Sequence, residues 1–524
     1  MKVKILKDVL QGALPQGFKG KIRYLYTPSK LCDPLFSPLP GKEPEKTRLA
    51  SHFLIVSGPV EPSGYDNVDK PKWLYSDVII LGIEVLIYKS SHLTTIFVSK
   101  ADSTGFGSEH HPKVSARAIA TSFLKWLLDR EQQKYPQRDV VLSLFARSQS
   151  QYLFPGSADS GVKHILDDRQ LIKWWVTVLD PILIEKKDAS GGNPIEFQGY
   201  LTVPGFTGSE LRQFYPTYSR AAGGNQSWLP GNPLHKLADI RCVPANSPTR
   251  CLLPRFPDDP KARLMQDLDD EVGLTDGIPS TSPIKRRNGQ WSSIHNLDHF
   301  WEAMEFRQEC SSGRMVGFLW ILASPQKRSG KRIDDGPIDE SHEFPSVKTP
   351  TKPKRKRLTG PIIPRKPRLK GGLPSMMSPT NKSKGILNPT ESGNGLLLSK
   401  EGYDKAMQIL LHLDFSNVKL AEQSTGKWVA EVSSICGLSS DWAEHVEGIM
   451  KTVKCAVASD VVSGGCDVND IGGIVRKRKH QADQPLSGTQ AVSGTEKKPT
   501  VSAAPAVNML SAGMIRKKPK PSPA

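Results

Sequence analysis

Three short stretches carry side chains that could do chemistry. Ser99-Lys100-Ala101-Asp102-Ser103-Thr104-Gly105-Phe106 closes a strand-like run and leads through a polar loop to Lys113-Val114-Ser115-Ala116-Arg117, where a helical pattern begins. A helix N-terminus presents free N–H groups and a positive dipole end, so one flanked by Lys113 and Arg117 suits a phosphate. An ordinary capped helix accounts for the same residues. Phe145-Ala146-Arg147-Ser148-Gln149 ends a second apolar run with Arg147 placed for an anion, and continues through Ser150-Gln151-Tyr152-Leu153-Phe154-Pro155 to Lys163-His164-Ile165-Leu166 and the pair Trp174-Trp175. A loop followed by an aromatic core helix reads equally well. Phe256-Pro257-Asp258-Asp259-Pro260-Lys261-Ala262-Arg263 sets an acidic pair beside a lysine, although Asp259 as N-cap with Pro260 at the first helical position is a common helix start.

Familiar signatures are missing. There is no Walker A sequence, and Gly105-Phe106-Gly107 lacks the third glycine of a dinucleotide fingerprint. Arg220-Ala221-Ala222-Gly223-Gly224-Asn225 misses the last residue of the pyrophosphate loop used by common N-acetyltransferases, and no G-x-S-x-G elbow occurs. The cysteines at 32, 242, 251, 310, 436, 455 and 466 form no C-x-x-C pair, which argues for a reducing compartment and against a disulfide framework or structural zinc. His110-His111 has no third ligand at metal-site spacing, so no metal is expected.

The elements that must position these stretches are legible in part. Val78–Tyr88 and Leu93–Ser99, separated by a turn, predict a hairpin, and Val140–Phe145 and Val316–Ala323 predict buried strands. Helical periodicity marks Ser115–Arg130, Asp168–Ile184 with Pro181 expected to kink or end it, Pro260–Val272 and Leu297–Cys310. Residues 186–255, rich in Gly and Pro, predict long loops. Strands mixed with helices without regular alternation imply a mixed α/β domain over residues 1–324, a central sheet surrounded by helices.

Charge separates the folded part from the rest. The chain of 524 residues has a net charge of +18, yet residues 327–384 hold 16 basic and 5 acidic residues and residues 471–524 hold 10 and 2. What remains is 45 basic and 46 acidic residues, close to neutral. Segment 325–395 and most of 434–524 contain too little apolar surface to offset ordering entropy and read as disordered basic tails. Between them, 396–433 carries Ala406, Ile409, Leu410, Leu413, Val418, Leu420 and Ala421, a helix docking on the main domain with an interruption near Asp414–Asn417. Clusters at Lys354–Arg357, Arg476–Lys479 and Arg516–Lys518 fit nuclear import or phosphate contacts, including nonspecific DNA contact through the tails. No apolar run is long enough to span a bilayer, and the N-terminus has no secretory h-region, so neither a membrane protein nor a secreted one is expected.

The ordered combination SKADSTGF, SQSQYLFP followed by KHIL and KWW, and FPDDPKAR resembles the fungal histone H3 lysine acetyltransferases known as regulators of Ty transposition. The resemblance spans about residues 45–324 and recurs weakly at about 399–433. It implies a fold like that of the CREB-binding-protein acetyltransferases, acetyl-CoA as co-substrate, and histone H3–H4 as acceptor at the core lysine fifty-six and some tail lysines. Histone chaperones of the anti-silencing and nucleosome-assembly-protein types are the implied partners, and the nucleus the implied location, with roles in replication-coupled nucleosome assembly and genome stability.

By the same resemblance Ala101, Asp102, Ser103, Lys113, Val114, Ser115, Ala116, Arg117, Phe145, Arg147, Gln149, His164, Ile165, Leu166 and Trp174 match acetyl-CoA contacts. Gln149 replaces a small residue of the family, and Lys113 stands where an arginine is expected. Tyr152 and Trp175 match aromatic walls of the substrate-lysine channel, and Asp259 with Asp258 matches the acidic catalytic position. Lys261 matches a buried lysine that the enzyme acetylates on itself, expected to pair with Asp102. Amide formation from a thioester needs a neutral amine, and a lysine of pKa about 10.4 is unprotonated in only about one molecule in 2,500 at pH 7. Asp259 is therefore expected to attract the ammonium and take its proton, or to orient it. The competing class is a non-catalytic chromatin scaffold acting through its tails; H3 acetylation that survives loss of 325–395 and 471–524 separates the two.

Overall fold

The computed structural model describes residues 4–60, 76–108, 113–188, 195–216, 227–272, 289–310, 314–325, 395–439 and 441–451. The basic tails with their three clusters, His110-His111 and Arg220–Asn225 lie outside the described residues.

Near-continuous apolar runs, covered on both faces, make the central strands, and their pairing makes one mixed sheet. The strands are β1 (Lys19–Tyr26), β2 (Lys30–Cys32), β3 (Thr47–Val60), β4 (Ser76–Lys89), β5 (Leu93–Ser103), β6 (Asp139–Arg147), β7 (Ile195–Thr202), β8 (Trp228–Pro230), β9 (Val316–Pro325), β10 (Leu396–Leu397) and β11 (Glu444–Glu447). Their order is β10-β1-β3-β4-β5-β6-β9-β7-β8, with β11 also on β1 and β2 on β3. The expected hairpin is β4–β5, with Tyr88 opposite Thr95. β5 and β6 run parallel, Leu93 beside Asp139, as a βαβ crossover requires. β9 runs antiparallel to both β6 and β7.

The helices are α1 (Leu6–Gln11), α2 (Ala116–Lys134), α3 (Asp168–Asp188), α4 (Gly208–Leu211), α5 (Leu234–Ile240), α6 (Ala262–Glu271), α7 (Leu297–Cys310), α8 (Lys400–Leu410) and α9 (Val418–Cys436). Period two sorts the strand residues between the faces. Leu54, Val56, Leu144, Leu319 and Ile321 pack with α1, α2 and α3. Phe97, Val141, Phe318, Trp320 and Leu322 face the other way onto α5, α6 and α7, and Phe53 and Ile55 onto α8 and α9. No described helix is long and apolar enough to cross a membrane.

Three local expectations need correction. Of the two outcomes expected at Pro181, a helix end does not occur: α3 runs on to Asp188, with Val178, Leu179, Ile182 and Leu183 fully buried on the sheet while Pro181 faces solvent. That burial exceeds the cost of about 3 kcal/mol for an interior proline. Residues 186–255 are not only loops: they hold β7, which pairs with β9 along its whole length, together with β8, α4 and α5. Ordered structure also passes the expected 433 boundary, since α9 runs to Cys436 and β11 pairs with β1. The interruption near Asp414–Asn417 is real: α8 ends at Leu410 and Asn417 caps α9 by accepting from Leu420 N–H at 3.0 Å.

Candidate active site

The parallel pair β5–β6 sends both chain ends out at one end of the sheet, and two of the three chemistry-bearing stretches leave from there. The β5 end carries Asp102, whose side chain is 6% exposed. One carboxylate oxygen accepts from the backbone N–H groups of Tyr152 (2.8 Å), Leu153 (2.9 Å) and Phe154 (3.3 Å). The other accepts from Ser103 N–H at 2.8 Å and from Lys163 Nζ at 2.7 Å. Three successive amides aimed at one oxygen shape the loop after β6 around this single side chain. Ser115 caps α2 by accepting from Ala118 N–H at 3.2 Å, so the helix start expected there is correct.

The turn 256–261 closes over the other face of the same strands. Phe256 stacks on Phe97 with centroids 4.1 Å apart and meets Phe145 at 5.8 Å. Asp258 has a left-handed φ of +53°, which its short polar side chain tolerates better than most. It is exposed and lies 3.5 Å from Lys100, which in turn reaches Glu84 at 3.3 Å. Asp259 is buried: its carboxylate accepts from Lys261 Nζ at 2.8 and 2.7 Å, from Lys261 N–H at 2.9 Å and from Phe256 N–H at 3.3 Å. The Lys261 ammonium also faces the rings of Phe145, Phe318 and Phe256 at 5.0, 5.4 and 6.0 Å. Burial pulls its pKa below the ordinary lysine value, and Asp259 opposes that shift.

Tyr152 ties the β5 exit to the β6 exit: its backbone N–H donates to Asp102. Its hydroxyl donates to the Arg147 carbonyl. Burial pushes its pKa up to about 12, with Asp102, Asp168 and Asp258 adding to the rise and Arg147 opposing it. The phenol is therefore neutral at physiological pH.

Among the residues expected to hold acetyl-CoA, Lys113, Arg147, His164 and Ile165 are exposed, and Val114, Ser115, Ala116, Arg117, Gln149, Leu166 and Trp174 half-buried. Cations at the α2 start and the β6 end, beside an apolar Ile165 that is 43% exposed, fit a ligand with phosphates and an apolar arm. Gln149 lies against the Arg147 guanidinium, its amide oxygen accepting from Nε in the orientation that satisfies both. Ala101 packs under α2, whereas Ser103 donates its N–H to Asp102. Trp174 meets Trp175 edge-on at 4.8 Å, and Trp175 is 5% exposed in the α3 face of the core. A cavity of about 550 Å³ lies elsewhere, between α1, β1 and β11, lined by Lys7, Lys21, Asp77 and His445.

Two expectations are corrected here. Lys261 pairs with Asp259 and not with Asp102, whose oxygens are taken by Lys163 and four backbone amides. Nor does Asp259 cap α6; the helix starts at Ala262 after Lys261, and the carboxylate folds back on the turn itself. Sequence reasoning passed over Lys163, Lys100 and the ring contributed by Phe318. Lys163 stands inside the Lys163-His164-Ile165-Leu166 motif, but its partner is 61 residues away and no local pattern announces the pairing.

Comparisons with known proteins identify the family. Residues 6–139 and 130–431 match the family described as the histone acetyltransferase KAT11-type domain. The chain is 37% identical over 583 residues to the histone acetyltransferase rtt109 of Aspergillus flavus, covering 98% of this chain and 99% of the relative. It is 31% identical over 324 residues to rtt109 of Schizosaccharomyces pombe, covering 60% and 71%. The crystal structure of Rtt109 from Aspergillus fumigatus superposes with a TM-score of 0.63 at 36% identity, covering 85% of this chain and all of that one.

Fold and site thus define a KAT11-type lysine acetyltransferase with a large mixed sheet flanked by helices. The chain belongs to the Rtt109 family of histone acetyltransferases.

Proposed function

We propose that the chain transfers the acetyl group of acetyl-CoA to lysines of histone H3, the core lysine fifty-six and some tail lysines. In this reading H3–H4 is presented by chaperones of the anti-silencing and nucleosome-assembly-protein types, in the nucleus, during replication-coupled nucleosome assembly. The observation that carries the chemical part is the buried Asp259–Lys261 pair, faced by the rings of Phe145 on β6, Phe318 on β9 and Phe256 of the turn.

The substrate lysine enters beside Tyr152 and Trp175, whose rings disfavour its charged form. Its neutral nitrogen attacks the thioester carbonyl carbon, a C–N bond forms, the C–S bond breaks, and the sulfur leaves with its electron pair. The surplus proton of the amine passes to Asp259, directly or through water, and the thiolate is protonated from solvent. With Lys261 charged, Asp259 spends both oxygens on that ammonium and its side chain is 1% exposed. Acetylation of Lys261 by the enzyme itself removes the competing charge and returns the carboxylate to the substrate.

The test is H3 acetylation by the full chain with labelled acetyl-CoA, H3–H4 and a chaperone. Asp259→Asn is expected to lower turnover by roughly a hundredfold, as loss of a general base does. Near wild-type turnover with an unchanged pH–rate profile removes Asp259 from the mechanism. Mass spectrometry after incubation with acetyl-CoA alone is expected to find acetyl on Lys261; none under active conditions defeats that step.

A further inference from the structure

We propose that Lys163 is a positioning residue, the buried foot that fixes the exposed His164-Ile165 pair to the end of β5. Its side chain is 7% exposed, and its ammonium lies 2.7 Å from Asp102 Oδ1 and 2.9 Å from Ser157 Oγ. The next two residues are exposed, so the chain turns inward at Lys163 and outward immediately after it.

Three segments meet at this point. Asp102 holds the amides of Tyr152, Leu153 and Phe154 with one oxygen and Lys163 with the other. Gly105, with a φ of +92°, brings the exit of β5 so close that a Cβ there would lie 2.6 Å from Lys163 Cα. Ser148 donates to the Leu166 carbonyl at 2.6 Å, tying the far end of the segment to the β6 exit. Without the ammonium, Asp102 keeps its amide donors but becomes a buried carboxylate with no cation, and nothing ionic links residues 152–154 to 163–166. The inference rests on the reading above that His164, Ile165 and Leu166 face acetyl-CoA.

The experiment uses the full chain and two variants, Lys163→Met and Ser157→Ala. Acetyl-CoA steady-state kinetics are measured beside hydrogen–deuterium exchange. Lys163→Met is expected to raise the acetyl-CoA KM about tenfold with kcat within about threefold, the loss of one charged hydrogen bond. Amides 152–154 exchange faster while those of β3 and β4 keep their protection. Ser157→Ala moves both readouts the same way and less. Wild-type exchange at 152–154 in Lys163→Met overturns the proposal. Faster exchange there with an unchanged KM overturns it too, and places the fault in the reading of the cofactor side, which Asp259→Asn does not probe. If Lys163→Met loses protection throughout the sheet, Ser157→Ala decides, and wild-type values for it overturn the proposal.

Discussion

Lys261 Nζ lies 2.7 and 2.8 Å from the two carboxylate oxygens of Asp259, a residue only two positions upstream, with both side chains almost wholly withdrawn from water. The site therefore contains two separate buried ion pairs, Asp259–Lys261 in the turn and Asp102–Lys163 at the end of β5. The first is local in sequence and surrounded by rings; the second joins distant segments.

Removing one member of the first pair leaves an uncompensated buried charge. Lys261→Met is expected to destabilise the protein by about 3–5 kcal/mol, and Asp259→Asn with Lys261→Met by clearly less than the sum of the single changes. Urea unfolding of the three variants measures this; strict additivity contradicts the coupling.

Acid should loosen the segment that closes the sheet edge at β11. Asp441 accepts from Arg23 at 2.9 and 3.3 Å and from Lys21 at 3.1 Å, with Asp77 on the other side of Arg23 at 3.2 Å. Burial alone would raise the Asp441 carboxyl, but Arg23 and Lys21 bring it down to about 2 from 3.8. A depressed carboxyl pKa contributes stability that is complete above the unfolded value and disappears as pH falls through the folded one. The Tm difference between wild type and Asp441→Asn is thus expected to be full above pH 3.8 and to close by about pH 2. A gap that persists at pH about 2 excludes this linkage.

A buried hydrogen bond anchors α8 beneath the candidate site. The Tyr403 hydroxyl donates to Glu84 at 3.1 Å, and Glu84 also holds Lys100, the partner of Asp258. Burial raises the Tyr403 pKa well above its ordinary value, so the phenol stays a donor. Tyr403→Phe is expected to cost about 1.5–3 kcal/mol, the range for a hydrogen bond to a charged group. Denaturant midpoints check it, and no shift means that Glu84 finds another donor.

At Gly448 the chain passes so near the Leu14-Pro15 segment that follows α1 that a Cβ would clash with the Pro15 carbonyl oxygen. The Gly448 N–H donates to Phe18 O at 2.9 Å, so the segment cannot move off without losing that bond. Gly448→Ala is expected to lower stability by about 1–3 kcal/mol through overpacking. Faster hydrogen exchange confined to 444–450 is the expected signature, and an unchanged pattern counts against it.

The helix from Ser115, the hairpin of β4 and β5, and β6 and β9 were legible because apolar periodicity and capping are local properties, written in adjacent residues. β7 was not, since its Phe197, Tyr200 and Leu201 become a strand only by pairing with β9 more than a hundred residues later. β11 is shorter and more polar, Glu-His-Val-Glu, and owes its form to the open edge of β1.

The site divides in the same way. The amino-acid order alone carried the family resemblance, through the ordered run of three motifs, and with it the expected chemistry. It also placed Asp259 beside Lys261, two residues apart. Only the folded chain decided which lysine neutralises which carboxylate, giving Lys163 to Asp102 and Lys261 to Asp259. A buried charge takes whatever counter-charge three-dimensional packing brings within about 3 Å, and desolvation penalises every other arrangement.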